Sequence, residues 1–306
     1  MNQHLRGGGN YLNEGGIGVA LFLILSGAVL ITNYGNELKI GQFFKKRVIR
    51  IFIPLCISYV IMFIILCILF NNTWENVNKL GLLFSLFGLE FFSGAGLPTF
   101  WLVGEWFNTI IIIMYIIFPL LRLMLKKIPI ISTILITCIF VANVHFKILT
   151  YGGGWFSITN SLMVFWIGMI IGYYKPKYKY EMFVAGIIGI IPVIIFAQSI
   201  NSCMFYLLTL LFSTFLFMIM GVINYSNKLT DFISKYNFEI YLLHHRILIW
   251  LLPLLAASFT STIKELFIFV VLFWFICGCS KLLNITVLQI NKFRSFFSSD
   301  NFRVSN

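Results

Sequence analysis

Charged residues are scarce in this chain of 306 residues, of which only 10% are Asp, Glu, Lys or Arg. Soluble domains carry about 25% charged residues, and 60% of this chain is hydrophobic, so an ordinary soluble protein is excluded. Acidic residues are the scarcest, with 10 Asp and Glu against 22 Lys and Arg. At a mean hydropathy of +0.95 this positive excess indicates membrane topology and not a nucleic-acid surface.

The cysteines and the N-terminal residues predict no metal-binding or disulfide pattern and no cleaved secretory leader. The six cysteines lie in or beside apolar runs without zinc-ligand spacing, so we interpret them as small packing residues. The polar N-terminus and the missing A-x-A site after the first apolar run argue against a cleaved signal peptide. We expect no metal and no bound cofactor. We expect one transmembrane domain over residues 1–294 and a short cytoplasmic tail at 295–306.

Apolar runs long enough to cross a bilayer recur along the chain, since about 20 apolar residues cover ~30 Å of hydrocarbon. Nine candidates have this length: 17–34, 51–70, 101–121, 128–146, 156–174, 182–200, 203–223, 238–256 and 265–290. The shorter segment 80–92, inside the long connection 71–99, is predicted to be an interfacial or re-entrant helix. The sequence therefore predicts an all-α polytopic integral membrane protein with about nine transmembrane helices.

The distribution of Lys and Arg predicts the orientation of these helices. Residues 45–50 hold four cations between the first two spans, and cationic loops are retained on the cytoplasmic side. With that loop inside, sixteen of the 22 Lys and Arg fall inside; Arg6, Lys79, Lys147 and Lys264 fall outside, and Arg246 and Lys281 lie within spans. We expect a multi-pass protein of the cell membrane with its N-terminus outside and its C-terminus in the cytoplasm.

Four motifs occur in order along the chain. They are Gly16-Ile17-Gly18-Val19 with Ser26-Gly27, Arg47-x-x-Arg50-Ile51-x-x-Pro54, Phe100-Trp101-Leu102-Val103-Gly104-Glu105-Trp106-Phe107 followed by Tyr115 and Pro119, and Glu239-Ile240-Tyr241-Leu242-Leu243-His244. Each is weak alone, but their order and spacing over about residues 1–290 resemble the acyltransferase 3 family. That resemblance implies ten spans with both ends inside, so we interpret the chain as lacking the first span of the family.

The resemblance implies a membrane O-acyltransferase that moves an acetyl group from acetyl-CoA to a sugar hydroxyl of an envelope or exopolysaccharide glycan. Its implied partners are acyl-CoA, a glycan or lipid-linked glycan acceptor and the lipid bilayer, with no nucleic acid. Two other classes stay open. One is an inactive remnant that has lost its first span, and the other is a flippase or exporter of a glycan-lipid.

Arg47 and Arg50 are the donor-binding candidates. They lie one helical turn apart, so both can face one phosphate group of CoA. The alternative is that they serve only as a topology signal whose side chains reach the interface.

Histidine candidates follow from the chemistry, because acyl transfer to a hydroxyl needs a group that removes its proton. His244 matches the family's histidine motif, and a histidine inside a span indicates a polar cavity unless it is a satisfied core residue. His245 points to another face of the helix, and His145, beside Lys147, is interpreted as interfacial. His4 lies where the catalytic histidine of the absent span would fall; otherwise it is a mobile terminal residue.

Glu105 and the aromatic residues near it are the acceptor-side candidates. An acidic side chain in a span costs roughly 2.5–3.5 kcal/mol at the bilayer centre, so Glu105 is expected to bind acceptor hydroxyls, orient a histidine or pair with a cation. Trp101, Trp106 and Tyr241 are candidates for contact with the sugar, although tryptophans near the membrane surface most often form an interfacial belt.

Overall fold

Long apolar runs with few helix breakers form helices throughout the part of the chain that is described. The computed structural model describes residues 14–70, 78–95, 102–103, 106–146, 157–174, 202–222, 226–256 and 262–300. The helices are α1 Glu14–Tyr34, α2 Ile40–Phe70, α3 Lys79–Leu86, a 3₁₀ helix Glu90–Ala95, α4 Trp106–Lys127, α5 Pro129–Phe146, α6 Ile158–Tyr174, α7 Ser202–Val222, α8 Lys228–Ala256 and α9 Thr262–Asp300. The predicted all-α fold is confirmed.

Several of these helices have the length and composition of membrane spans. Four apolar stretches are long enough to cross a bilayer: Ile17–Tyr34, Ile40–Ile68, Trp106–Lys127 and Phe267–Lys292. Shorter apolar stretches follow in α5, α6 and α7. Large apolar side chains such as Ile131 and Phe269 are about two-thirds exposed, which suits contact with lipid. The chain is a polytopic membrane protein; the predicted span 182–200 lies outside the described residues.

Three helices begin earlier or extend further than the sequence predicted. The basic stretch 45–50 was expected in a loop, but α2 begins at Ile40 and carries all four cations in its first turns. Lys and Arg have good helix propensity, and neither Gly nor Pro occurs between residues 42 and 53. Helix α8 begins at Lys228 because the Asn227 side chain accepts from the backbone N–H groups of Leu229 and Thr230 at 2.9 and 2.8 Å. Helix α9 extends to Asp300.

The chain divides into two units, and the first comprises Met1–Ile40 and Ile110–Tyr225. Its helices α1, α5, α6 and α7 pack against one another. Glycines let α1 and α6 approach until their backbones touch: a Cβ at Gly168 would meet the backbone of Ile24, and one at Gly27 that of Phe165. Close approach at small residues is a common way for helices to pack in membranes, so Gly27 of the first motif has a structural role.

The second unit comprises Gly41–Thr109 and Ser226–Asn306. Its apolar core joins α2, α8, α9 and the short segment 102–103, with buried residues Leu55, Tyr59, Met62, Leu102, Val103, Leu242, Leu243, Ile247, Ile276, Leu283 and Val287. Helices α8 and α9 are also joined by a polar contact, since the Asn284 amide donates to Glu239 Oε1 at 2.6 Å. This core supports the polar side chains described next.

Candidate active site

Helix α8 presents the histidine motif of the second unit. Nδ1 of His244 lies 2.8 Å from the carbonyl oxygen of Tyr241, one turn earlier. A carbonyl oxygen only accepts, so Nδ1 carries a proton, and in the neutral ring Nε2 then has the lone pair. His244 is half-buried, and the contact within its own helix fixes the orientation of its ring. His245 is the next residue, with its ring 6.3 Å from that of His244.

Tyr241 is surrounded by aromatic rings of the same unit. Its ring lies edge to face with Phe107 at 5.2 Å and stacks on Phe238 at 6.3 Å. Phe107 in turn contacts Trp106, whose ring lies 6.2 Å away. Helix α8 and the start of α4 therefore bring two of the predicted acceptor-binding residues, Trp106 and Tyr241, to one aromatic cluster.

Arg246 is held on α8 by a backbone acceptor. Its Nε donates to the carbonyl oxygen of Leu102 at 3.1 Å, and its guanidinium lies 5.9 Å from the Trp250 ring. The Tyr59 phenol is its electrostatic neighbour. The half-buried guanidinium of Arg246 therefore lies near Tyr59, which forms the buried hydrogen bond described next.

Glu90 and Tyr59 form a buried polar contact in the second unit. The Tyr59 hydroxyl donates to Glu90 Oε1 at 2.6 Å, and both side chains are almost completely buried. Thr109 fixes the turn before Glu90, because its hydroxyl accepts from the Phe91 N–H at 3.1 Å and donates to the carbonyl oxygen of Gly88. Gly88 has a φ of 69°, which favours glycine.

Burial changes the acidity of Glu90, which lies outside the spanning helices. Removal from solvent disfavours the charged carboxylate and raises the pKa of Glu90 to about 7, although hydrogen bonding from Tyr59 and from the backbone N–H of Glu90 itself lowers it. The second carboxyl oxygen, Oε2, has no hydrogen-bond partner among the described residues, and neither atom of the buried Asn108 amide has one there. The Tyr241 phenol interacts with the Asn108 backbone and with Glu90.

Arg47 and Arg50 lie one turn apart in the first turns of α2. Arg50 is exposed, whereas Arg47 is half-buried with its guanidinium 5.5 Å from the Phe43 ring. Pro54 lacks an N–H, so the carbonyl of Arg50 has no α-helical donor at that position. The N-terminal part of α2 thus carries both guanidinium groups together with the ammonium groups of Lys45 and Lys46.

The predicted site residues that are described all belong to the second unit: Arg47, Arg50, Trp106, Tyr241 and His244. His4, Trp101 and Glu105 lie outside the described residues. Sequence reasoning missed Tyr59, Glu90 and Asn108. Glu90 could have been noticed as the one acidic residue in the apolar segment 80–92, but its Tyr59 partner lies 31 positions away and has no sequence signature.

Comparison with known proteins gives one match. A family model described as an acyltransferase domain, of the acyltransferase 3 type, matches residues 6–285. The matched range contains all four motifs quoted above. Searches of curated proteins and of solved structures give no match.

Proposed function

Because the chain belongs to the acyltransferase 3 family and is a membrane acyltransferase, we propose that it transfers an acetyl group from acetyl-CoA to a sugar hydroxyl. The acceptor is a glycan of the cell envelope or an exopolysaccharide, free or lipid-linked. The observation that carries this proposal is the contact of His244 Nδ1 with the Tyr241 carbonyl, which leaves Nε2 as the basic nitrogen of the ring. His244 lies in the same unit as Arg47 and Arg50. A base and a phosphate-binding pair are the two elements that this reaction needs.

In the proposed reaction Nε2 of His244 takes the proton of the acceptor hydroxyl. The oxygen attacks the thioester carbonyl, the carbon–sulfur bond breaks, and the CoA thiolate leaves and recovers the proton from the imidazolium. The Tyr241 carbonyl stabilises the imidazolium by accepting from Nδ1. His4 is the second candidate for the base, because the family resemblance puts a catalytic histidine near that position.

Donor and acceptor would use different residues. The proposed donor contacts run from Arg47 and Arg50 to CoA phosphates, since guanidinium groups bind phosphate through paired hydrogen bonds. Trp106 and Tyr241 would contact the sugar through their rings, joined by Phe107. Trp101 and Glu105 complete the proposed acceptor site by motif. The lipid bilayer is the further proposed partner, and we propose no nucleic-acid partner.

The test is acetyl transfer from labelled acetyl-CoA to extracted envelope polysaccharide, with the full chain in membrane vesicles. His244→Gln is expected to reduce transfer at least about 100-fold, the scale of a lost general base, and His4→Gln is measured beside it. His145→Gln is the matched control, because His145 is an exposed histidine at the end of α5. Arg47→Ala with Arg50→Ala should raise KM for acetyl-CoA, and Lys39→Ala should not.

Each result has a distinct meaning. Loss of transfer in His4→Gln with full activity in His244→Gln would move the base to His4. Unaltered acetyl-CoA kinetics in the double arginine variant would leave these residues a topology role alone. If the vesicles transport a glycan-lipid but transfer no acetyl group, the protein is an exporter and the proposal is wrong. If they show neither acetyl transfer nor transport, the protein is an inactive remnant.

A further inference from the structure

Two buried side chains in the second unit have unused hydrogen-bonding atoms. Glu90 and Asn108 are both 0% exposed. Oε2 of Glu90 and both amide atoms of Asn108 have no partner within the described part of the chain. Buried polar atoms are nearly always hydrogen-bonded, because an unpaired one loses its interaction with water without compensation. Tyr241 interacts with Glu90 and with the backbone of Asn108, so the two residues belong to one neighbourhood. Two such side chains indicate a place that takes a polar ligand.

The charges around Glu90 restrict the chemistry of that ligand. An anion would be placed beside the Glu90 carboxyl, whose ionised form opposes its binding. A divalent metal ion is disfavoured because no cluster of three His, Cys, Asp or Glu occurs among the described residues, and because Arg246 stands beside Tyr59. A neutral hydroxyl both donates and accepts, which matches a carboxyl oxygen and a carboxamide.

We propose that Glu90, held by Tyr59, is the residue that binds and positions the hydroxyl of an uncharged sugar acceptor. This inference rests on the proposed acyl transfer and names the side chain that receives the acceptor. Glu90 Oε2 accepts from the hydroxyl, and the Asn108 amide supplies a further donor and acceptor. The Tyr59 hydrogen bond to Oε1 keeps the carboxyl in one orientation, and the Ser85 side chain and the Val103 backbone in turn contact the Tyr59 oxygen.

An aromatic cluster interacts with this site through Tyr241. Tyr241 is an electrostatic neighbour of Glu90 and of Tyr59, and its ring packs between Phe107 and Phe238. Aromatic faces beside hydrogen-bonding groups suit a sugar ring, which has apolar faces and polar edges. His244 shares the turn with Tyr241, its ring 5.8 Å away. Tyr241 thus interacts both with Glu90 and with the residue proposed as the base.

The experiment measures sugar binding without catalysis. Saturation-transfer NMR is recorded on the purified full chain in nanodiscs with the methyl glycosides of glucose, galactose and N-acetylglucosamine, and separately with CoA. The variants are Glu90→Gln, Glu90→Leu and Tyr59→Phe. Glu37→Gln is the control, because Glu37 is an exposed acid that pairs with Lys39 at 3.5 Å. CoA binding shows in each case whether the variant has folded.

We expect at least one glycoside to bind the unaltered protein, and its affinity to fall about tenfold or more in Glu90→Leu, the scale of one lost hydrogen bond to a charged or strongly polar group. Glu90→Gln should fall less, because its amide can still donate to the hydroxyl. Tyr59→Phe should show a smaller loss, and Glu37→Gln none. Glycoside binding that is equal in Glu90→Leu, or absent from the unaltered protein, would overturn the inference. Glycoside binding that depends on Glu90 in a protein that transfers no acetyl group would instead contradict the proposed function alone.

Discussion

A carboxyl group removed from solvent binds its proton more tightly, because burial disfavours the charged form. Glu90 shows this effect, with its pKa raised from 4.5 to about 7. Between these two pH values the unfolded chain releases the proton and the folded chain retains it. Stability therefore falls as pH rises from about 4.5 to about 7 and is level above that range, by an amount of the order of 3 kcal/mol.

Glu90→Gln should remove this pH dependence. The glutamine keeps an oxygen that accepts from the Tyr59 hydroxyl but cannot ionise, so the variant should gain stability relative to the unaltered protein as pH rises from 5 to 8. Thermal unfolding of both proteins in nanodiscs across this pH range measures the difference. Glu37→Gln should follow the unaltered protein throughout. Parallel curves for Glu90→Gln and the unaltered protein would show that the carboxyl does not titrate in this range.

Single residues differ in how far their sequence position reveals their role. His244 was found because it stands in a motif, and its contact with the Tyr241 carbonyl follows from helical spacing alone. Glu90 and Tyr59 meet through the packing of α2 against a turn 31 positions away, which no local pattern encodes. Asn108 was missed for the same reason, since its burial depends on the surrounding helices.

At the scale of elements, the packing of α1 on α6 depends on glycine. Gly168→Ala should destabilise the first unit, because its new Cβ would overlap the backbone of Ile24, which cannot move aside like a side chain end. Overpacking of this kind costs typically about 1–3 kcal/mol, and more against backbone. Gly18→Ala is the control on α1, since nothing lies within 4 Å of a Cβ there. Thermal unfolding and the yield of assembled protein measure both, and equal behaviour would contradict the packing.

The C-terminal end of α1 is held by cations of α4. Arg122 donates to the carbonyl oxygens of Tyr34, Gly35 and Asn36 at 2.7, 3.0 and 2.9 Å, and Lys126 donates to that of Gly35 at 3.0 Å. Tyr34 is the last residue of α1, and a helix leaves its last carbonyls without intrahelical partners; Gly35 and Asn36 follow directly in the chain. A pair of cations that the sequence assigned only to topology thus also caps a helix.

Arg122→Gln should therefore lower the unfolding temperature, by the loss of hydrogen bonds worth about 1.5–3 kcal/mol each to a charged donor. Lys127→Gln removes the same charge from the same helix end at an exposed position, so it should leave stability unchanged. Thermal unfolding of the two variants separates capping from topology. A similar effect of both substitutions would assign it to net charge.

Helix positions could be predicted from hydropathy, but helix ends could not. The predicted spans 17–34, 128–146 and 156–174 agree closely with α1, α5 and α6, whose ends coincide with the ends of their apolar runs. Hydropathy failed at the start of α2, because positively charged residues continue a helix as readily as apolar ones. It failed in the same way at the start of α8, where a capping asparagine and not the apolar run sets the end.

At the scale of the whole molecule, the four motifs divide between the two units. Gly27 of the first motif lies in the first unit and packs two helices together. The arginine pair and the histidine motif lie in the second unit, as do Trp106, Tyr59 and Glu90. The motifs of the family therefore include residues that maintain the fold and residues suited to chemistry. The backbone contact at Gly27 indicates the first role, and the polar contact of His244 suits the second.

The capping role of Arg122 and Lys126 bears on orientation, because charges retained for stability are weaker indicators of topology. Sixteen Lys and Arg were assigned to the inside and four to the outside. Without the two capping residues the inside still holds fourteen, so the bias persists. Since cationic segments near span ends resist translocation, the helix end at Lys45–Arg50 is expected on the cytoplasmic side whether it is a loop or, as found, the first turns of α2.

This argument predicts a cytoplasmic C-terminus. A fluorescent protein fused after Asn306 should fluoresce, and alkaline phosphatase fused at the same point should be inactive, because the first folds only inside and the second only outside. The basic residues Lys292, Arg294 and Arg303 near this end favour that side. An internal fusion at residue 150, in the connection after α5 that is predicted to lie outside, should give the reverse pattern. Active phosphatase at Asn306 together with fluorescence at residue 150 would mean that the cationic helix ends face outward. Acyl-CoA in the cytoplasm could then not reach Arg47 and Arg50.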